Sequence, residues 1–332
     1  MRSMGHRATE GGGRCRTTGL PASPRMGGPQ MKRHALLACF VMVTLLTPGT
    51  GGAGPITFLT ALPVAKGQAV LRGQYVLIRS DDNRISADRD LTVQTVPLAL
   101  VVGITSRLAI FTAIPVLNKS LVVNGDGGRL TRRTRGVGDT TVFGRYTVLA
   151  VNRPGSTFRL APFGGLEIPT GGHDASDRWG ALPRPLQLGS GSWDGLGGVA
   201  ATWQTLAWEL DASAAYRRNR EADGFTFGDA VSTDVSFQYR VWPRELGAGV
   251  PGFLYGVVES NLAWHDNNAQ GGIDDPNSGG TTWDVDVGVQ FVKPTYILEA
   301  ILQIPTASRV NGTALDTSYR FRAGARWNLS LF

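Results

Sequence analysis

Alternation of apolar and polar residues along most of the chain after residue 68 is the feature that most restricts what this sequence can form. In the segment from Trp283 to Phe291, Trp, Val, Val, Val and Phe occupy one face, and Asp, Asp, Gly and Gln occupy the other. A period of two residues is that of a half-buried β-strand, whereas a helix repeats about every 3.6 residues. We therefore predict an all-β chain of antiparallel strands.

Twelve such segments can be placed, and the connections between them alternate between short and long. The predicted strands lie near residues 68–79, 91–104, 107–117, 137–150, 157–168, 192–203, 207–218, 229–242, 253–265, 281–292, 295–304 and 318–331. The long connections cover residues 80–90, 118–136, 169–191, 219–228, 266–280 and 305–317. This pattern predicts an antiparallel up-and-down transmembrane β-barrel of a bacterial outer membrane, with short periplasmic turns and long extracellular loops.

The positions of aromatic residues agree with a barrel in a membrane. Tryptophans lie near the predicted strand ends, where an outer-membrane barrel carries its aromatic belts: Trp203, Trp208 and Trp242 near short turns, and Trp193, Trp264 and Trp283 near long loops. The last residue, Phe332, is typical of a C-terminal strand read by the barrel-assembly machinery, which we expect as a partner. Pro97 is an exception to the pattern, because proline has no N–H for a strand ladder.

The N-terminal part of the chain is predicted to direct export. A short basic stretch at residues 31–34 precedes an apolar run at residues 35–46, and small residues follow. These are the parts of a secretory signal peptide, which we place at residues 31–53. Residues 1–30 are rich in Gly and Arg without periodicity and are interpreted as an over-extended N-terminus. Residues 54–332 are expected to form one barrel domain.

The net charge of +7 does not indicate nucleic-acid binding. Residues 1–53 hold seven Lys/Arg and one acidic residue, so they carry six of the seven excess positive charges. Clustered cations are needed to bind a phosphate backbone, and the predicted barrel is nearly neutral. Both cysteines, Cys15 and Cys39, also precede the barrel. A disulfide framework and a Cys-ligated zinc site are therefore excluded there, and no cofactor is predicted.

Charged residues within the strands are predicted to line the barrel interior, because the apolar faces would contact lipid. The acidic candidates are Asp139, Glu167, Glu209, Asp211, Asp234, Glu259, Asp284, Asp286 and Glu299. The basic candidates are Arg72, Arg145, Arg159, Arg217, Arg240, Arg320, Arg322 and Arg326. Paired charges cost far less to bury than single charges. The near balance therefore predicts either a narrow, weakly ion-selective pore or a lumen occluded by its own salt bridges.

One predicted outer loop is strongly basic. Its candidate contacts to the phosphates of outer-membrane lipid and lipopolysaccharide are Lys119, Arg129, Arg132, Arg133 and Arg135. Arginine forms charge-assisted bonds with phosphate oxygens, and basic clusters bind anionic membrane surfaces. The alternative is an ordinary solvated loop.

Three segments in order resemble a known family. They are Gly136-Val137-Gly138-Asp139, Pro162-Phe163-Gly164-Gly165-Leu166-Glu167-Ile168-Pro169-Thr170-Gly171, and Leu188-Gly189-Ser190-Gly191-Ser192-Trp193-Asp194. Together they resemble the outer-membrane proteins named for the meta-pathway of phenol degradation, over roughly residues 65–332. The resemblance implies a transmembrane barrel that passes or binds small, often aromatic or apolar, molecules. It brings no catalytic residues.

Three functions remain open on the sequence. The first is an outer-membrane channel or transporter for passive uptake or binding of small molecules, whose permeant the sequence does not identify. The second is a non-conducting structural or surface-interaction barrel with an occluded lumen. The third is an outer-membrane hydrolase, but the segment from Gly191 to Gly195 does not match the G-x-S-x-G elbow of a serine hydrolase. We therefore predict that the chain is not an enzyme.

Overall fold

The computed structural model describes residues 53–82, 88–125, 128–246, 249 and 252–331. The predicted over-extended N-terminus, the predicted signal peptide up to residue 52, and Phe332 lie outside the described residues. Among the described residues, no helix is long and apolar enough to cross a membrane.

Twelve antiparallel strands of the described chain form a closed barrel, which confirms the predicted fold class. In chain order they are β1 (Gln68–Asp82), β2 (Arg89–Gly103), β3 (Leu108–Gly125), β4 (Thr140–Tyr146), β5 (Ser156–Ile168), β6 (Asp194–Thr205), β7 (Trp208–Arg218), β8 (Ala230–Trp242), β9 (Phe253–His265), β10 (Gly280–Val292), β11 (Tyr296–Val310) and β12 (Asp316–Ser330). Each strand pairs with its neighbours in the chain. The pairing of β12 with β1, from Gln68 opposite Ser330 to Asp81 opposite Asp316, closes the ring.

Shorter elements belong to the connections. A strand at Gly128–Val137 pairs with the far half of β3, and a strand at Leu149–Arg153 forms a hairpin with the start of β5. The remaining elements are a two-stranded sheet (Ser176–Asp177 and Gly180–Ala181), a 3-10 helix (Arg184–Leu186) and a four-stranded sheet (Glu221–Ala222, Phe225–Thr226, Ala269–Gln270 and Ile273–Asp274). We call the end with long connections the loop end, and the opposite end the turn end.

The prediction of a loop at residues 118–136 is wrong. Strand β3 continues to Gly125 and forms a hairpin with the strand at Gly128–Val137. The strand predicted at residues 137–150 is also divided, and only β4 belongs to the barrel ring. The interruption falls beside Pro115, where the partner of β3 changes and where the Gly138 N–H donates to the Pro115 carbonyl (2.9 Å). Pro97 lies directly opposite Pro115. Proline cannot donate to a strand ladder, so each of these two prolines leaves the ladder without one N–H donor at this level of the wall.

Burial in this barrel is the reverse of burial in a soluble protein. Gln238, Gln290 and Asp286 inside the barrel are 0% exposed, whereas Val287 and Val289 on its outer face are 53% and 52% exposed. Large apolar side chains on every strand face outward in this way, and such a surface is stable only when hydrocarbon covers it. The alternation read from the sequence therefore separates a polar interior from a lipid-facing exterior.

Candidate functional site

Most of the residues before β1 lie inside the barrel, and we call residues 53–66 the lumen segment, of which Pro63, Ala65 and Lys66 are exposed. Its Ile56 is fully buried against Val257 and Ile301 of the wall. Farther along, Ala61 is fully buried against small residues of β5 and β6. Pro55 and the apolar residues after it show no period-two pattern, and no function was predicted for this segment.

One wall of the lumen accepts the N–H groups of the lumen segment. The Glu259 carboxylate accepts hydrogen bonds from Ile56 N (2.7 Å) and Thr57 N (3.1 Å), and also from the Thr57 hydroxyl. The Ala61 N–H donates to Thr202 Oγ1 (2.8 Å), whose hydroxyl in turn donates to the Asp211 carboxylate. Two carboxylates therefore hold the segment, one directly and one through a threonine.

Other side chains donate to the carbonyl groups of the same segment. Arg72 Nη2 donates to the Ile56 carbonyl (2.5 Å), and Arg326 Nη2 donates to the Pro55 carbonyl (2.5 Å). The guanidinium of Arg145 donates to the carbonyls of Thr60 and Leu62 and lies over the ring of Phe111, 4.9 Å from its centroid. The segment is thus held by its backbone, and the arrangement needs few particular side chains on it.

Next to the lumen segment the predicted interior charges are separated by sign, whereas Arg217 and Arg240 lie nearer the barrel ends, on strands that also carry acids. Glu209, Asp211, Asp234, Glu259, Asp284, Asp286 and Glu299 lie on the consecutive strands β7 to β11, whereas Arg320, Arg322, Arg326 and Arg72 lie on the adjoining strands β12 and β1. Arg145 lies on β4. A backbone between an acidic and a basic wall can direct its N–H groups to one and its carbonyls to the other. This separation of charge, rather than simple balance, positions the lumen segment.

Among the described residues, the ion pairs between the two sets involve two acids, Glu299 on β11 and Asp284 on β10. Glu299 pairs with Arg72 (2.7 Å) and Arg326 (2.6 Å), and Asp284 pairs with Arg320. Arg322 donates instead to Gln303 Oε1 (2.7 Å).

Two further acids accept hydrogen bonds from neutral side chains, and a third has no such partner. Glu209 accepts from Gln204 Nε2 (2.6 Å), and Asp234 accepts from Ser213 Oγ (3.0 Å). The buried oxygens of Asp286 have no hydrogen-bond partner in the described part of the chain. Salt bridges among the described residues therefore do not by themselves fill the lumen.

The other predicted interior residues lie near the ends of the barrel. At the loop end, Arg217 pairs with Glu167 (2.9 Å), and Asp139 accepts hydrogen bonds from the backbone of the connection between β5 and β6. At the turn end, Arg159 donates to Asn152 Oδ1 (2.7 Å), and Arg240 lies over the ring of Phe253. Among the described residues, the last two form no hydrogen bond or ion pair with the lumen segment.

Three of the cavities that described residues line lie along the barrel interior. The loop-end cavity has a volume of 600 Å³, and the central cavity of 460 Å³ shares Arg217, His265 and Arg320 with it. The turn-end cavity has a volume of 220 Å³. Phe58 and Leu59 of the lumen segment line both the central and the turn-end cavities. These two side chains therefore stand between the two halves of the lumen.

The two cavities beside Phe58 and Leu59 differ in polarity. The central cavity is lined by serines, charged residues and amides, including Asp234, Asn261 and Arg322. The turn-end cavity is lined mostly by apolar residues: Ala53, Pro55, Leu62, Pro63, Val64, Val70, Ala99, Val101, Phe111 and Ile297. An apolar cavity with a few polar groups is the usual form of a small-molecule site.

The segment predicted to be a basic loop forms a β-hairpin, and its basic side chains are divided between the inward and the outward face. Lys119 and Arg132 point inward, where Lys119 donates to the Gln187 carbonyl and Arg132 binds both carboxylate oxygens of Asp177 (2.9 and 2.7 Å). Arg132 lowers the pKa of Asp177, chiefly through this hydrogen bond. The prediction that Lys119 and Arg132 contact outer lipid is therefore corrected. Both side chains are on the inward face of the hairpin, where they contact the connection between β5 and β6.

The other three basic residues of the hairpin face outward. Arg129, Arg133 and Arg135 are exposed, and Arg129 pairs with Asp90.

The closed barrel, its apolar exterior and its polar lumen define the class of transmembrane β-barrels. The chain belongs to the family described as "Putative MetA-pathway of phenol degradation", whose model matches residues 73–296. No curated protein matches the chain significantly.

Solved structures resemble it in fold. The COG4313 outer membrane channel from Pseudomonas putida F1 has 19% identity and a TM-score of 0.60, covering 84% of this chain and 100% of that chain. The β domain of the Bordetella autotransporter BrkA has 11% identity and a TM-score of 0.44, covering 80% and 100%.

Proposed function

We propose that this chain is an outer-membrane channel for passive uptake of small apolar or aromatic molecules, in which Phe58 and Leu59 form the gate. The observation that carries the proposal is that these two side chains line the cavities on both sides of the lumen segment. Membership of the family, together with the lipid-facing exterior, supports the membrane location.

The anchors of the lumen segment support a gate at this position. Ile56 and Thr57 are bonded to Glu259, and Thr60 and Ala61 are bonded to Arg145 and Thr202. Phe58 and Leu59 lie between these two anchors and are partly exposed to the cavities. Movement of this short span would join the central and turn-end cavities while both anchors stay in place.

The lining of the cavities supports the class of permeant. A molecule moving from the loop end meets a polar central cavity before an apolar one that includes Phe111. A small molecule with an aromatic ring and one polar group suits both environments. Its polar group can form hydrogen bonds in the central cavity, and its ring is removed from water in the apolar turn-end cavity. Passage of this kind involves no chemical step and no cofactor.

Single-channel recording in a planar lipid bilayer tests the gate. The double variant Phe58→Ala/Leu59→Ala should give larger conductance steps than the parent, and phenol should block the current of the parent more strongly than glucose does. Leu98→Ala is the matched control, because Leu98 is an outward-facing leucine that is 49% exposed. Parent-like conductance in the double variant would contradict the gate.

The second candidate is the non-conducting structural barrel, and the bonded lumen segment favours it. Folded protein that stays silent both as the parent and as Phe58→Ala/Leu59→Ala would support this candidate. Folding is verified independently by the anomalous migration of unboiled samples.

A further inference from the structure

The outer face of the wall at β1, β2, β3 and the Gly128–Val137 hairpin strand carries a row of polar side chains in direct register. Arg79 is opposite Thr92, Thr92 is opposite Ser120, and Ser120 is opposite Arg133. Residues directly opposite on neighbouring strands share a face. An arginine therefore stands at each end of a row of two hydroxyl side chains.

A second polar row lies next to the first. Gln94 is opposite Asn118, and Asn118 is opposite Arg135. The amide of Asn118 donates to Gln94 Oε1 (2.9 Å), while Arg79 Nη1 donates to Thr92 Oγ1 (2.6 Å) in the first row. Arg133 and Arg135 are exposed and are held by no hydrogen bond or ion pair that the described residues provide. We call Arg79, Arg133 and Arg135 the outer basic patch.

The outer basic patch begins where the apolar belt ends. Val96, Val116 and Val137 are opposite one another on neighbouring strands, and their exposed fractions are 37%, 37% and 47%. Arg135 and Arg133 follow two and four residues farther toward the loop end, which is about 7 and 13 Å along a strand. The charged groups of a membrane's outer leaflet lie at this level, just beyond its hydrocarbon.

The chemistry of the outer basic patch suits phosphate groups. Guanidinium groups bind phosphate oxygens through two parallel bonds, and the hydroxyl and amide groups between them can donate further hydrogen bonds. The acids nearby are Asp81 and Asp90 in the next row toward the loop end, and Asp90 is occupied by its ion pair with Arg129. Two exposed arginines are thus left without a counterion from the described chain.

From this geometry we infer that the outer basic patch binds the phosphate groups of a phosphorylated glycolipid, the lipopolysaccharide of the outer leaflet. The inference rests on the outer-membrane location in the proposed function but does not depend on conduction. The opposite face of the same hairpin strand cannot take part, because Arg132 is bound to Asp177 on the inner side. Alternation along one strand therefore assigns neighbouring arginines to different partners.

Titration of the folded, detergent-solubilised protein with lipopolysaccharide tests the inference. Each basic residue near an anionic lipid surface contributes about fivefold in affinity, so Arg133→Gln/Arg135→Gln should weaken binding about 30-fold. Arg132→Gln is the matched control on the same strand and should bind like the parent. Folding of each variant is checked by the migration of unboiled samples.

Two further binding measurements identify which phosphate-bearing molecule the outer basic patch binds. Enzymatically dephosphorylated lipopolysaccharide should bind the parent as weakly as intact lipopolysaccharide binds the double variant. Vesicles of phosphatidylglycerol and inorganic phosphate should bind more weakly than lipopolysaccharide. Equal affinity of parent and double variant, equal loss in Arg132→Gln, or a preference for phosphatidylglycerol or inorganic phosphate would overturn the inference. A silent channel with intact lipid binding would refute only the proposed conduction.

Discussion

Replacing Glu259 with Gln should release the lumen segment without unfolding the barrel. The carboxylate accepts hydrogen bonds from two backbone N–H groups, those of Ile56 and Thr57, at 2.7 and 3.1 Å. A bond to a charged group contributes about 1.5–3 kcal/mol, and a neutral bond about 1 kcal/mol. Gln retains one acceptor oxygen, but its amide group would face the second N–H. At the lower bound, two charged bonds are replaced by one neutral bond, which costs about 2 kcal/mol.

That loss can be measured as a change in population. A difference of about 2 kcal/mol increases the released fraction about 30-fold. A cysteine introduced by Phe58→Cys, in a chain that also carries Cys15→Ser and Cys39→Ser, reports release through its rate of labelling with a water-soluble maleimide. The rate should rise about 30-fold when Glu259→Gln is added, provided that the segment docks and releases faster than it is labelled.

Asp286 provides the matched control for Glu259. It is 0% exposed and directly opposite Glu259 on the neighbouring strand, yet it bonds to no residue of the lumen segment. Asp286→Asn should leave the labelling rate unchanged and should raise the thermal stability of the barrel, since like charges directly opposite are destabilising. Parent-like labelling in Glu259→Gln, in protein that is still folded, would refute the role assigned to the carboxylate.

Two further predictions concern the connection between β5 and β6. Arg132 lowers the pKa of Asp177, so the stability gained from this pair should be complete above the ordinary Asp value of about 3.9 and be lost as pH falls through the lower folded value. Hydrogen exchange of the connection should therefore accelerate only in acid, and Asp177→Asn should remove that pH dependence. Gly189→Ala should destabilise the same connection by about 1–3 kcal/mol, since its Cβ would lie 2.4 Å from Asp139 Oδ1. Gly172→Ala, with nothing within 4 Å of its Cβ, should be neutral in the same exchange measurement, and equal effects of the two would argue against the steric reasoning.

Local pattern determined the strands of this protein. The strand predicted at residues 253–265 matches β9 (Phe253–His265), and the alternation around Trp283 correctly separates outward valines from inward acids. Side chains alternate strictly along a strand, so the faces of a strand can be read from neighbouring residues alone. The fold class follows from repetition of that pattern together with the lengths of the connections.

Alternation along a strand does not show which of its two faces is buried, as the Gly128–Val137 strand illustrates. The sequence places Arg132 and Arg133 on opposite faces but does not say which face is covered. Only the connection between β5 and β6, which brings Asp177 to Arg132, decides that Arg132 is inside and Arg133 outside.

The position of the lumen segment was decided only by tertiary structure. Its residues have no periodicity that predicts an element, and their partners are far away in the chain: Ile56 and Glu259 are 203 residues apart. The segment is fixed through its backbone, whose N–H and carbonyl groups are the same in every residue except proline. Strand identity is a local property of side chains, whereas occupancy of the lumen depends on acids and arginines that meet only when the barrel closes.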